Sequence, residues 1–526
     1  MAGKKLIDVA NNESPSQYAD RLGLQYSESV NQEHKKTNGQ FFTPKEIASL
    51  MGKLAETSED EIKILDPGCG TAILSCCLVE SLFEKNSNLR NIELTAYETD
   101  KELEPFTLKA IENLGEWLKQ RNIKFSYKLV TNDFVLEQAD CLNDEKTLFQ
   151  KTVEKFDLII SNPPYFKLSI DDKRAIAAKA VVNGHPNIYS VFMAISAKLL
   201  RENGQLIFIT PRSYASGGYF KLFREYFFRI IEIDKVHLFV SRKDTFTRDN
   251  VLQETVIIKG RRVKQPNPNH EVVIYSSHGL KDISSPMQKY FQQREVIDIN
   301  SNEKILFLPT SDSDEGILNI VKSWSGYLSK YNIQISTGPV VSFRAWDYIK
   351  DNSEEENLAP LFWLHNVKQM ALEWPLEKPD KGQYIKVQKE TRSILIPNKN
   401  YILLRRFSSK DDKSRLIAAP YFCNYPNSQF IGVENKVNYI YRKGGHLDRN
   451  EVVGLCALLN SSLYDNYFRI FNGNVNVSAT ELREMKLPEL DEIKQIGERI
   501  ILTNDFSVEY SNSIINEFFN LEEQPV

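Results

Sequence analysis

The chain predicts an α/β fold, a mainly parallel sheet with helices on both faces, followed by a second unit of mixed α+β character. Two observations carry this expectation. Short apolar, β-branched runs alternate with longer helical stretches through the first half, the pattern of a parallel sheet with crossover helices. That alternation stops after residues 261–270 (RRVKQPNPNH), a segment of prolines, turn formers and charges that reads as a boundary. The length of 526 residues agrees, since roughly 150 residues per domain suggests two to four units.

The predicted strands are residues 62–65, 92–97, 127–131, 157–161, 205–210, 235–240 and 254–259. Helical patterns at 73–83, 102–120 and 189–200 separate most of them, whereas no long helix joins the last two strands. An antiparallel pair closing the sheet is therefore expected. Residues 1–30 read as a helical extension, 31–262 as the α/β domain and 263–526 as the second unit. That second unit shows short strands, a Gly338-Pro339 turn and an amphipathic helix over 451–471.

Composition narrows the setting. Hydrophobic residues at 41% and charged residues at 26% are those of a globular chain, and no apolar run reaches the roughly 18 residues of a membrane span. The first twenty residues lack the apolar middle of a secretory signal, so a cytoplasmic protein without membrane contact is expected. Six cysteines without a CxxC pair predict reduced thiols and no metal. The net charge of −4 is unevenly spread: residues 381–450 carry 14 Lys and Arg against 5 Asp and Glu, and residues 485–526 carry 3 against 9. A local basic surface on an acidic chain suits a polyanion.

Chemistry concentrates at the predicted strand ends. Ile64-Leu65-Asp66-Pro67-Gly68-Cys69-Gly70 runs from a strand into a glycine turn, where backbone can approach a ligand closely. The second strand ends in Glu98, placed to accept both hydroxyls of a ribose; the third ends in Asp133-Phe134, a carboxylate for an adenine amino group and a ring for its face. Neither the Lys-Ser/Thr of a Walker motif nor the third glycine of a dinucleotide fingerprint is present, so S-adenosylmethionine fits better than ATP or NAD. The fourth strand ends in Asn162-Pro163-Pro164-Tyr165. The Asn162 oxygen and the Pro163 carbonyl can each accept a proton of an exocyclic amine, Pro164 stiffens the turn, and Tyr165 can stack on the ring that bears the amine. The ring face of Tyr165, more than its hydroxyl, is expected to matter.

With these motifs the chain resembles the γ-group amino-methyltransferases of bacterial restriction–modification systems, the TaqI-type DNA adenine-N6 methyltransferases, chiefly over residues 36–259. The resemblance implies a Rossmann-like S-adenosylmethionine-binding catalytic domain at 31–262 and a target-recognition domain at 263–526. It implies that residues 39–44, with Phe41 and Thr43, lie over the methionine end of the cofactor. Asp66, Gly68, Gly70, Glu98, Asp133, Phe134 and Asn162 complete that site. Residues 187–192 would form a helix beside it, and 210–214 would follow the fifth strand. Phe246 would be a second aromatic against a base flipped out of double-stranded DNA, and asparagine before Pro163 favours adenine N6 over cytosine N4. In the target-recognition domain, Arg344, Arg405, Arg406 and Asn460 are the candidate DNA contacts. A cognate endonuclease would act separately.

Two other functions share parts of this pattern. Release-factor glutamine methyltransferases carry the same Asn-Pro-Pro-Tyr but are much shorter and lack a large basic C-terminal unit. A DNA-recognition subunit of a defence complex, with little activity alone, would not need the set of Asp66, Glu98, Asp133 and Asn162.

Overall fold

The computed structural model describes residues 6–31, 34, 39, 42–143, 154–240, 254–298, 301, 303–351, 356–377, 381–408, 412–424, 428–473 and 476–521. Two of the residues singled out above, Phe41 and Phe246, lie outside this set. The chain divides into two units, Met1–Thr310 and Ser311–Val526.

In the first unit nine strands make one sheet: β1 (Glu61–Pro67), β2 (Asn91–Tyr97), β3 (Lys124–Val130), β4 (Phe156–Ser161), β5 (Leu200–Pro211), β6 (Ile231–Phe239), β7 (Thr255–Arg262), β8 (Glu271–Ser277) and β9 (Met287–Gln292), in the order β3-β2-β1-β4-β5-β7-β6-β8-β9. The first five strands of that order run parallel, and β7 is antiparallel to both β5 and β6. Because successive side chains on a strand point to opposite faces, each central strand feeds two cores at once. Ile64, Leu158, Ile160 and Ile207 pack with the helices Lys45–Leu54 and Ile73–Lys85 on one face; Leu65, Ile159 and Leu206 pack with Ile188–Leu199 and Lys221–Ile230 on the other. Burial on both faces is why these strands read as continuous apolar runs.

Residues 1–30 are more than an extension. Helix Pro15–Ser29 starts on a Ser14–Gln17 capping box and buries Tyr18, Ala19, Leu22 and Tyr26 in the core that holds β1. Each fully buried large apolar side chain of this kind contributes roughly 1.5–3 kcal/mol.

The boundary expected after residue 262 also moves. β8 pairs in parallel with β6 and β9 continues the sheet, so the first unit ends at Thr310. The proline-rich segment is a crossover turn pinned to β6: the Asn267 N–H donates to Glu232 Oε2 at 2.8 Å, and His270 Nε2 lies 2.9 Å from Asp234 Oδ1. Turn chemistry looks the same at a linker and at a tight connection.

In the second unit one sheet is formed by β10 (Ile333–Thr337), β17 (Tyr401–Arg405), β18 (Ala418–Tyr421) and β20 (Val437–Arg442), and another by β11 (Ile349–Lys350), β12 (Leu358–Phe362), β15 (Tyr384–Lys386), β16 (Ile396–Pro397) and β19 (Phe430–Val433). A short pair, β13 (Val367–Lys368) and β14 (Ala371–Leu372), and helices near the C-terminus complete it. The helix expected over 451–471 is two, Arg449–Asn460 and Ser462–Phe471, broken where Ser461 turns extended and caps the second through the Tyr464 N–H. Among the described residues no helix is long and apolar enough to cross a membrane.

Candidate active site

Hydrogen bonds draw the strand tips of the first unit together. The Gly68 and Cys69 N–H groups both donate to Tyr97 O, at 3.0 and 2.9 Å; the Glu98 N–H donates to Val130 O at 3.0 Å; and the Ser161 hydroxyl donates to Pro67 O at 2.6 Å. Gly68 and Gly70 take φ +76° and +55°, a conformation that side-chain-bearing residues rarely adopt, so the turn after β1 depends on them. The result is a cavity of about 380 Å³ at the carboxyl ends of the parallel strands.

Of the residues picked out from the sequence, Thr43, Gly68, Gly70, Glu98, Asp133, Phe134, Asn162 and Pro164 line this cavity. Asp66, Pro163 and Tyr165 do not. Asp66 is fully buried below the turn, where its Oδ2 accepts the Ser75 hydroxyl at 2.6 Å and its Oδ1 has no hydrogen-bond partner among the described residues. Glu98 Oε2 accepts the Gly70 N–H at 3.1 Å and Oε1 the Asp100 N–H at 2.9 Å. Asp133 caps the short helix that follows, its Oδ1 accepting the Leu136 N–H at 3.0 Å, and Arg174 stands 3.8 Å from its Oδ2. Phe134 is held between Tyr97 and Phe192, with ring centroids 5.1 and 4.9 Å away.

Burial dominates the electrostatics. Desolvation pushes the carboxyls of Asp66 and Glu98 up to about 7 each, with their mutual repulsion a smaller contribution to Asp66. Among the described residues the lining holds three carboxylates, Glu98, Asp100 and Asp133, against one cation, Arg174. Such a lining suits a positively charged nucleoside without phosphates. The glycine turn and the acidic lining therefore fit S-adenosylmethionine.

The catalytic candidate sits at the cavity edge. Asn162 Nδ2 donates to Thr43 Oγ1 at 2.9 Å, and its Oδ1 accepts the Tyr165 hydroxyl at 2.5 Å. That hydroxyl is also 3.1 Å from Ile209 O. The Tyr165 ring meets Tyr189 edge-on, and its hydroxyl, bonded to Asn162, is engaged in a way that the sequence did not suggest.

Several lining residues escaped sequence reasoning. Phe42, inside the 39–44 segment expected over the cofactor, covers the glycine turn; Asp100, which was not singled out, is held by the Tyr26 hydroxyl at 2.5 Å and by His34 Nε2 at 2.8 Å. Arg174 pairs with Asp172 and lies over the Phe166 ring at 5.3 Å. Only the carboxylate two residues past Glu98 gave a signal that could have been used.

In the second unit the four DNA candidates separate. Arg344 is exposed. Arg405 is half-buried, its Nε donating to Val367 O at 2.7 Å, and Arg406 donates to Asn435 O at 3.0 Å. Asn460 needs correction as a base-reading residue. It is 3% exposed, accepts the Ala418 N–H at 3.0 Å and donates to Ala418 O and Cys456 O, both at 2.8 Å, because it ties a helix end to β18.

The sheet order and this cavity suit an S-adenosylmethionine-dependent methyltransferase, and sequence relatives show that the chain is one. Residues 48–246 match the family model described as Eco57I restriction-modification methylase. The type II methyltransferase M.PstI of Providencia stuartii is 30% identical over 486 residues, covering 92% of each chain. M.BsuBI of Bacillus subtilis is 32% identical over 474 residues, 89% of this chain and 91% of the relative. A tRNA1(Val) (adenine(37)-N6)-methyltransferase of Haemophilus influenzae is 29% identical over 166 residues, 31% of this chain and 58% of the relative. The chain belongs to the type II restriction–modification methyltransferases, enzymes that methylate DNA from S-adenosylmethionine. This family excludes the release-factor reading.

Proposed function

We propose that the methylated atom is N6 of adenine, rotated out of duplex DNA, and that the modification protects host DNA against a separate endonuclease. The observation that carries this reading is Asn162, an amide at the edge of the cavity with hydroxyl partners on both its atoms. Asparagine at this position favours adenine over cytosine, and the relative matching 166 residues is an adenine-N6 methyltransferase by name.

S-Adenosylmethionine, when bound, supplies an electrophilic methyl group. Glu98 holds the ribose hydroxyls, Asp133 and Phe134 hold the adenine ring of the cofactor, and Thr43 closes the methionine end. Asn162 Oδ1 accepts one proton of the target amine with the lone pair that the Tyr165 hydroxyl leaves, and the Pro163 carbonyl accepts the other. These two acceptors draw the nitrogen lone pair out of conjugation with the purine, so positioning and charge stabilisation replace a strong base. Inside the duplex the amine is paired and its approach blocked, and extrusion costs a few kcal/mol. Tyr165 and Phe246 receive the ring, and residues 311–526 recognise the site.

Transfer of an isotope-labelled methyl group to duplex DNA, followed by digestion to nucleosides and mass spectrometry, tests the assignment. Label in N6-methyladenine is the expected result; label in N4-methylcytosine would overturn it.

A further inference from the structure

Residues near the N-terminus brace the cofactor cavity from outside. Helix Pro15–Ser29 is tied to the helix that follows the glycine turn: the Ser16 N–H and hydroxyl donate to the two carboxylate oxygens of Glu80, at 2.8 and 2.7 Å. Gly23 faces the turn so closely that a Cβ there would stand 3.3 Å from the Thr71 hydroxyl oxygen. On the same face of the helix Tyr26 is fully buried, its ring edge-on to Phe42 and Phe106 with centroids 5.7 and 5.5 Å away.

The Tyr26 hydroxyl reaches Asp100. It donates to Asp100 Oδ2 at 2.5 Å, His34 Nε2 stands 2.8 Å from the same oxygen, and the Glu102 N–H donates to Oδ1 at 2.9 Å. Both oxygens of Asp100 are thus engaged by the protein, although the residue lines the cavity. What Asp100 gives to the site is its own N–H, which donates to Glu98 Oε1 at 2.9 Å, while Glu98 Oε2 takes the Gly70 N–H at 3.1 Å. Two carboxylates so close repel each other, and they stay together because each of the four oxygens accepts a hydrogen bond.

We propose that Tyr26 and His34 are positioning residues of the cofactor site: they fix Asp100, Asp100 fixes Glu98, and the carboxylate that holds the ribose is set before the cofactor arrives. This role rests on the proposed contact of Glu98 with the ribose. A preformed acceptor loses no ordering free energy on binding. The ribose hydroxyls take no part in the bond that breaks, so the gain is the same before and during methyl transfer and enters KM for the cofactor rather than kcat.

Calorimetric titration of the full-length protein with S-adenosylmethionine, alongside steady-state kinetics on duplex DNA, tests this. Tyr26→Phe keeps the ring against Phe42 and Phe106 and removes only the hydroxyl. It should weaken cofactor binding about 2- to 13-fold, as loss of one hydrogen bond does, and raise KM for the cofactor alike, with kcat and KM for DNA unchanged. His34→Ala should do the same. In a Glu98→Ala background neither change should matter, because the group through which both act is gone. Equal losses with and without Glu98 would mark a purely structural role, and wild-type affinity in both variants would remove the brace; either result overturns the positioning role and leaves Glu98 in the site. Should Tyr26→Phe lower the melting temperature, His34→Ala, at a side chain 31% exposed, decides alone. Glu98→Ala with unchanged affinity overturns the ribose contact and the positioning role together.

Discussion

In the first unit the groups that matter most are hidden: Asp66 is 0% exposed and Glu98 9%, both pushed up to about 7 by burial. In the second unit Phe343 and Trp346 stand largely in solvent. The two arrangements suit ligands of different size. A small cationic cofactor is recognised by desolvated carboxylates in a preformed cavity, where each charge is strong but costly to bury. A long polyanion is met by an open surface, where each contact is screened and worth little alone, and affinity comes from many of them.

If the contrast holds, changes in the cavity act steeply and individually. Asn162→Ala should lower kcat by about 100-fold or more and leave cofactor affinity within a few-fold, as loss of one preorganised transition-state contact does; single-turnover kinetics with parallel calorimetry checks both. Glu98→Ala should weaken cofactor binding about 10- to 150-fold, the worth of a charge-assisted hydrogen bond, and unchanged affinity by calorimetry would remove Glu98 from the site.

The raised carboxyls give the cavity a pH signature. Cofactor binding should strengthen about tenfold between pH 6 and pH 8 as Glu98 ionises through about 7, and Glu98→Gln should flatten that profile. Without cofactor the sign for stability is opposite. Carboxyls whose folded values lie above their unfolded ones contribute stability below roughly pH 4 that is lost as pH rises through about 7, so the ligand-free protein should melt lower at pH 8 than at pH 5 on this account.

Smaller effects sharpen the comparison. Tyr165→Phe removes the hydroxyl on Asn162 Oδ1 and should cost kcat about 2- to 13-fold with little change in KM for DNA, in contrast to the tolerance expected from the sequence. The mildest change should be in the second unit: Arg406→Ala, which removes a half-buried guanidinium, should flatten the log–log salt slope of DNA binding by about 0.9, which a filter-binding series over salt would measure. A slope unmoved by this change would place the basic face elsewhere.

What could be read early was local. The seven strands between residues 61 and 262 follow from apolar periodicity, and the end of β4 was recognisable because two prolines after an asparagine and before a tyrosine constrain the backbone wherever they occur. The glycine turn after β1 was legible for the same reason, since positive φ is a property of the residue itself. The continuation of the sheet through β8 and β9 was not legible, because a proline-rich turn has the same composition whether it ends a domain or crosses over a strand.

The amino-acid sequence by itself determined the element order, the chemistry at four strand tips and the class of cofactor, all of which depend on residues close together in the chain. Only the tertiary structure decided that Asn460 is a buried clamp, that the Tyr165 hydroxyl engages Asn162, and that Phe343 and Trp346 face solvent. Asparagine, tyrosine and phenylalanine are each at home in a core or on a surface. Their burial and partners are set by whatever distant segments pack beside them, and that information is absent from any local window of the chain.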